Sequence, residues 1–569
     1  MDVVINKIKY NLGSYTDAIE KRLDSMEEEQ INERIWNRDA TLWKYDEESI
    51  QMISNSLGWL DIPSKMASVL PQILQFAQEV RTDSFTHVVV IGMGCSSLAP
   101  LVFERTFGTS KTGMALSVID TIDPAKIQAV EQKAPLNETL FIVASKSGVT
   151  VETNALGDYF YNKMKANDGK KAGSHFVAIT DPGTPLAEKA RALHYRHIFL
   201  NFEGVGDHYS ILSYVGMVPA ALMGLDVEAL LARAIWMQQS CQTHNFPPEN
   251  SALHLGAIMS EMRGRQTWNK LTFVLPESLS ALGMWLEQLI AISTGKEGRG
   301  ILPITGETLL DPSYYRHDRL FVHLNLYGEH QPEVTDKLHR LTAAGHPLVT
   351  ITLENELDIA GEFYRWQMAV AVATALISIN PFDQPNVEES NQRTHQILSK
   401  FEKEAALPEM DPAITEGKLT FFTYRNKFKD AKGLLDTFMD GEYSGDYLVI
   451  QAFLPEEPRT DELLQEFRTL LQKRLKRAIT VAYGPRFLYS TGQFHKGGPN
   501  TGLFIQLTAE DTVDINVPGK KYTFGTYKRA QADGDFTLMR AHSRRVIRVD
   551  LNGDVHQGMD KLIDLVAPR

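Results

Sequence analysis

The sequence predicts an α/β protein with two parallel-sheet domains covered by helices on both faces, preceded by a helical segment and followed by an α+β domain. Three observations predict it. From Thr86 onward, short apolar runs of β-forming residues recur, separated by stretches long enough for helices, which is the pattern of a buried parallel sheet. After a helical stretch that begins near Tyr209, a second set of such runs starts at Leu271. From about Glu402 the composition shifts through a link rich in Pro and Glu, EKEAALPEMDPAITEG, into a third set of strands.

Taken in order, residues 1–80 read as mostly helical and amphipathic, with a tryptophan-bearing segment, IWNRDATLWKYDEESI, and a loop at Asp61–Ser64. Residues 81–225 make the first sheet domain, with strands HVVVIG, LSVID, LFIVAS, HFVAIT and HIFLNF. Residues 226–400 look like a repeat of it, with strands LTFVLP, RLFVHLNL and PLVTITL and long helices at Leu279–Thr294 and Glu362–Ile379. Two prolines within Asn380–Asn386 stop the second helix and hold a rigid turn. Residues 401–569 form the last domain, read as LTFFTYR, YLVIQAFL, a charged helix at Thr460–Arg477, then AITVAYG, FLYSTG, LFIQLTA and VIRVDL. Its loop Gly492–Asn500 reads as polar and flexible, a segment that closes over a ligand or simply turns.

The totals bound the function. A chain of 569 residues exceeds what one core supports. A net charge of -13 argues against an extended nucleic-acid surface or an anionic membrane as partner, while leaving room for a small basic pocket. The two cysteines, Cys95 and Cys241, make neither a disulfide framework nor a cysteine zinc site, which fits a reducing cytoplasm. The first residues lack the basic start and long apolar core of a signal peptide. The apolar stretches Ser213–Leu225 and Met368–Ile379 fall short of the ~20 residues of a membrane helix and read as buried helices.

The chemistry concentrates at Thr139–Thr153, TLFIVASKSGVTVET. A buried strand runs into Ser145, Lys146, Ser147 and Thr150, three hydroxyls and an ammonium at the strand's carboxyl end. A helix starting at about Thr150 aims unpaired N–H groups at the same spot, which favours an anion. Upstream, HVVVIG ends in a glycine turn bearing Cys95, Ser96 and Ser97 at the same edge of the sheet. Two such turns in one sheet point to a sugar phosphate. The bland meaning of each alone is an N-cap serine and a surface lysine.

With these turns, VVVIGMGCSSLAP, IVASKSGVTVET, GDHYSILSYVGMVPAALMG, WLEQLIAISTGKEGRGILP, INPFDQPNVEESN and GPRFLYSTGQFHKGGPN together resemble phosphoglucose isomerase, and in particular the isomerase half of fused transaldolase/phosphoglucose isomerase proteins. The resemblance implies two sugar-isomerase (SIS) domains with the site between them. It also implies interconversion of glucose 6-phosphate and fructose 6-phosphate without metal or organic cofactor, a homodimer, and a functional link to a transaldolase. By the same likeness Ser96, Ser145, Lys146, Ser147 and Thr150 bind phosphate, and Gln288 and Gln384 stand around the sugar.

The catalytic positions differ from the family's pattern. Its glutamate base corresponds to Ile292, its enediolate arginine to His208, its ring-opening lysine to Asn391, and a glycine beside the sugar to Cys95. The nearest candidates for the family's ring-opening histidine are His317 and His323. Losing a general base costs about two to four powers of ten in rate. Two readings therefore stand: an isomerase with substitute groups, for which His208, His495 and Lys496 are candidates, or a catalytically silent sugar-phosphate binding or regulatory protein. An isomerase of an altered sugar is a third. Glu287 and Glu297, five residues either side of Ile292, read as solvated helix charges rather than replacement bases. Cys95 reads as a space-filling residue rather than a nucleophile.

Overall fold

The computed structural model describes residues 7–567 except 111, 243–249, 265–267, 424–427 and 441–444. The last two residues of the expected strand LTFFTYR, Tyr424 and Arg425, lie outside the described residues.

Three sheets carry the chain. A short strand, β1 (Lys7–Asn11), opens it. The first sheet contains β2 (His87–Ile91), β3 (Ala115–Ile119), β4 (Thr139–Ala144), β5 (Phe176–Thr180) and β6 (His197–Leu200), all parallel, in the order β3-β2-β4-β5-β6. Every residue of β4 and β5 is buried, as strands covered by helices on both faces require. The second sheet contains β7 (Lys270–Val274), β8 (Leu302–Ile304), β9 (Arg319–Leu326) and β10 (Leu348–Leu353), parallel in the order β8-β7-β9-β10, with β1 antiparallel on the free edge of β10. The third contains β11 (Ile414–Glu416), β12 (Leu419–Phe422), β13 (Tyr447–Phe453), β14 (Ala478–Tyr483), β15 (Gly502–Thr508) and β16 (Arg545–Asp550). Its order is β11-β12-β16-β15-β13-β14, with β11 and β12 antiparallel at one edge and the other four strands parallel.

In each sheet the first parallel strand has the second on one side and the third on the other, so the chain reverses its winding there. Ligands bind beyond the carboxyl ends of the two strands flanking such a point. In the first sheet those strands are β2 and β4, which carry the two hydroxyl turns.

Seven helices position the site: α1 (Cys95–Phe107), α2 (Val151–Asp168), α3 (Ser280–Thr294), α4 (Ile359–Leu376), α5 (Pro385–Glu404), α6 (Gly492–Gly497) and α7 (Phe524–Ala541). Helix α4 is buried almost all round in the main apolar core, which joins the first two sheets to the N-terminal helices through Trp43, Trp59 and Trp366. Among the described residues, no helix is long and apolar enough to cross a membrane.

Several local expectations are corrected. The segment 1–80 is mostly helical as expected but also holds a strand, β1, whose partner β10 lies more than 300 residues on, beyond the reach of local pattern. Asp61–Ser64 is the entry to a helix, Ile62–Thr82, with Pro63 in its first turn, where a missing N–H costs nothing. FLYSTG is a 3-10 turn, Arg486–Tyr489, leading into α6. The loop expected to close over a ligand is mostly α6 itself, with Gln493, His495 and Lys496 buried.

Candidate functional site

The glycine turn after β2 is fixed by crowding. Gly94 has φ +56°, and a Cβ there would meet the Gln288 amide nitrogen and Tyr489 at 3.1 Å. Helix α1 starts at once, placing Cys95 and Ser96 in its first turn. Ser97 does not face the ligand edge: it is fully buried and its hydroxyl donates to the Gly94 carbonyl at 2.7 Å.

The second turn is knit in the same way. Gly148, at φ +69°, donates its N–H to Ser145 Oγ at 3.1 Å, and Ser145 Oγ lies 3.0 Å from Thr150 Oγ1. Thr150 is the N-cap of α2, as the sequence suggests. Lys146 reaches Asp181 at 2.9 Å. Burial works against its charge, but the Asp181 carboxylate outweighs this and holds the lysine pKa above its ordinary value.

Both turns open on a cavity of about 670 Å³. Cys95, Ser96, Lys146, Ser147 and Thr150 line it, together with Gln384 at the N-cap of α5 and Asn391 about two turns on. The far wall belongs to the C-terminal part of the chain: Tyr489, Lys520, Tyr522 and Tyr527. Ion pairs seat that part against the carboxyl edge of the first sheet, Arg486 on Asp120 at 2.5 Å and Lys528 on Asp123 at 2.6 Å.

The remaining expected site residues lie outside the lining. Ser145 is buried behind the turn, and Gln288 is buried with its amide donating to the Tyr489 carbonyl at 2.8 Å. Ile292 is buried on α3. His208 is buried too, its Nε2 donating to the Pro381 carbonyl at 2.7 Å and lying 3.1 Å from Ser293 Oγ. Burial, reinforced by the nearby Lys296 ammonium, pushes its pKa down to about 3, so it stays neutral and holds a backbone group. His495 is driven well below its usual range by burial among Phe487 and Phe504. Lys496 is locked to Asp535 at 2.7 Å with both side chains out of solvent. Neither can swing into the cavity. His317 stacks on His346, and His323 is buried on β9 with its pKa lowered to about 4 by burial; neither lines the cavity. Glu287 is not a solvated charge: burial lifts its pKa to about 7 while Thr305 donates to it at 2.7 Å. Glu297 is half exposed beside Lys44.

Three groups that the sequence reading passed over do face the cavity. Glu152, in the first turn of α2, is buried at 3% exposure and accepts from the Tyr489 hydroxyl at 2.8 Å and the Gln531 amide at 2.7 Å. Burial raises its pKa, and the hydrogen bonds from Tyr489, Tyr527 and Gln531 oppose that only in part. Tyr489 also lies 3.0 Å from Asn391 Oδ1, so one phenol bridges the carboxyl group and Asn391. Asp207, one residue before His208, hydrogen-bonds the Cys95 thiol. Burial and that carboxylate push the thiol pKa well up, the wrong direction for a nucleophile. Glu152 lies within the run SKSGVTVET, two residues past Thr150, and a carboxylate so close to the cradle is the signal that could have found it. Among the described residues no group of three or more His, Cys, Asp or Glu is placed to hold a metal ion.

Residues 53–300 match the family model described as phosphoglucose isomerase. The chain is 28% identical over 382 residues to a probable glucose-6-phosphate isomerase of Methanococcus maripaludis, covering 61% of this chain and 85% of that one. It is 29% identical over 354 residues to a glucose-6-phosphate isomerase of Methanocaldococcus jannaschii, covering 56% of this chain and 86% of that one. A glucose-6-phosphate isomerase from Chlamydia trachomatis superposes with a TM-score of 0.55 at 18% identity, over 70% of this chain and 89% of that chain. A hypothetical protein from Thermus thermophilus does so at 0.59 and 23%, over 68% of this chain and 99% of that one. At these identities the two structures speak for the fold.

Proposed function

The chain belongs to the phosphoglucose isomerase family, and from that premise we propose that it binds a hexose 6-phosphate in the cavity and interconverts its aldose and ketose forms with Glu152 as the proton-moving base. The phosphate sits against Ser96, Lys146, Ser147 and Thr150 and the N-terminus of α2. In the open-chain sugar, Glu152 takes the proton from C2 of the aldose and returns it to C1. The electrons of the broken C2–H bond form the C1=C2 bond of an enediolate as the C1=O1 pair moves onto O1; the O2–H proton passes to O1, C2=O2 forms, and C1 takes the proton back from Glu152. The Tyr489 hydroxyl spends its one proton on Glu152 or on Asn391 Oδ1, which leaves the Asn391 amide N–H groups as the donors beside Glu152 for the developing oxyanion.

The observation that carries this reading is the buried Glu152, whose raised pKa brings it toward the pH at which one group both accepts and returns a proton. A second reading, a silent sugar-phosphate binder, is favoured by the burial of Ile292 and His208 away from the cavity. Glu152→Gln separates them. On the first reading, fructose 6-phosphate formation from glucose 6-phosphate falls by about two to four powers of ten, while glucose 6-phosphate still raises the melting temperature. Wild-type turnover at the level of a mock-purified control, with the thermal shift intact, sinks the isomerase reading in favour of the silent binder.

A further inference from the structure

The phosphate cradle and Glu152 occupy one end of the cavity. The rest runs along α5. Its lining residues fall on a single stripe spaced three or four apart, from Gln384 at the N-cap through Asn391 and His395 to Glu402 in the last turn. That run of about 18 residues spans about 27 Å at ~1.5 Å per residue. A cavity of about 670 Å³ falls in the middle of the range of about 300–1,000 Å³ that encloses drug-sized ligands, more than one sugar ring with one phosphate requires.

The distal arm has its own chemistry. It begins at Tyr527, which covers Glu152, and Tyr522 meets that ring edge to face on the arm's side with ring centroids 6.0 Å apart. Lys520 Nζ lies 5.9 Å from the Tyr522 ring centroid and 3.7 Å from Glu402. Across from them, His395 Nδ1 lies 3.3 Å from Ser399 Oγ. A pyranose presents an apolar C–H face to an aromatic ring and a rim of hydroxyls to groups such as these. At the cradle end, Val149 and Val151 stand 59% and 45% exposed, apolar surface that a ligand lying across the mouth would cover. The charges decide against a second phosphate or a nucleotide diphosphate: Lys520 is the arm's one lysine among the lining residues, and Glu402 and Glu388 share the wall with it.

Resting on the sugar-phosphate reading of the cradle, we propose that this cavity takes a phosphorylated two-ring sugar, with the phosphate on Ser96 and Lys146–Thr150 and a second, uncharged pyranose between α5 and Tyr522. Calorimetric titration of the full chain with glucose 6-phosphate and with maltose 6-phosphate, whose phosphorylated ring is the reducing one and keeps its C1 free, tests it. The two-ring phosphate binds at least tenfold tighter, and the ratio of the two affinities falls toward one in His395→Ala and in Lys520→Ala, both exposed positions whose loss leaves the core intact. Glucose 6-phosphate binding with no preference for the two-ring sugar, or a preference that both variants retain, overturns the second-ring site and leaves the cradle standing. Failure of both phosphates to bind overturns the cradle and the second-ring site together.

Discussion

Lys496 stands on the segment expected to close over a ligand, and its burial makes the opposite claim testable. Lys496 Nζ lies 2.7 Å from Asp535 Oδ1, neither side chain has measurable exposure, and Asp535 Oδ2 has no other hydrogen-bond partner among the described residues. Lys496→Met removes the cation and strands a buried carboxylate, which costs about 3–5 kcal/mol. The backbone on either side cannot give way to admit water. A Cβ on Gly497 would meet the Gly295 carbonyl at 2.6 Å, and the Lys496 carbonyl itself accepts from Arg544. Replacing both partners, Lys496→Met with Asp535→Leu, removes the stranded charge, so most of the stability returns. Urea unfolding followed by tryptophan fluorescence and by far-UV circular dichroism reads the effect, with turnover measured on the same preparations below the transition. The single variant shifts its midpoint strongly downward, the double variant lies near wild type, and turnover per folded molecule is unchanged in both. A single variant with wild-type stability and lost turnover would refute the reasoning, because Lys496 would then be acting on the substrate.

Two further outcomes follow from the site. Asp181 holds Lys146 away from full engagement with an anion, so Asp181→Asn tightens glucose 6-phosphate binding about fivefold, from ~1 kcal/mol for a partly exposed pair, more at low salt than at high. Unchanged affinity in titration calorimetry would mean Lys146 does not touch the phosphate. On the isomerase reading Glu152 works as a base only when ionised, so the acidic limb of turnover against pH is expected to rise with a midpoint above the usual carboxylate value. Tyr489→Phe removes a donor to the carboxylate and moves that limb to still higher pH. The sign for stability is opposite. A carboxyl group whose folded pKa is raised contributes stability that is fully present below its unfolded pKa and is lost as pH rises through the folded one. Glu152→Gln therefore flattens the fall in melting temperature above pH ~4.5, the ordinary glutamate value.

The sheets were legible because each parallel strand is a short, continuous apolar run: HVVVI, TLFIVA and FVAIT are buried almost end to end. What escaped was local structure set by distant partners. The strand KIKYN forms only because the free edge of β10 accepts it. The run FLYSTGQFHKGG looked like a strand and a loop, yet its β-forming residues sit in a 3-10 turn and a short helix. Phe494 packs there against Gly295, whose own Cβ would come within 2.6 Å of Phe494. Polar letters such as Gln, His and Lys suggest a surface; here each is buried against a specific partner, as Gln493 is against the Gly295 carbonyl.

The candidate site divides along the same line. The cradle was legible because its chemistry is local: the hydroxyls, the lysine and the helix N-terminus come from one turn after β4 and one after β2. The proposed acid–base group was not, since a glutamate in the first turn of a helix is ordinarily a solvated charge that favours the dipole. What makes Glu152 different is that Tyr489, Tyr527 and Gln531, more than 300 residues later in the chain, fold over it and remove it from water. The same covering explains why the substitutions at Ile292 and His208 do not by themselves settle the chemistry. With those two positions buried and the C-terminal tyrosines forming the far wall, the polar groups lining the cavity beside the cradle include Glu152, Asp207, Asn391 and Tyr489. On the isomerase reading proposed above, proton transfer therefore depends on how the C-terminal unit sits on the first sheet, where the ion pairs of Arg486 with Asp120 and Lys528 with Asp123 join the two.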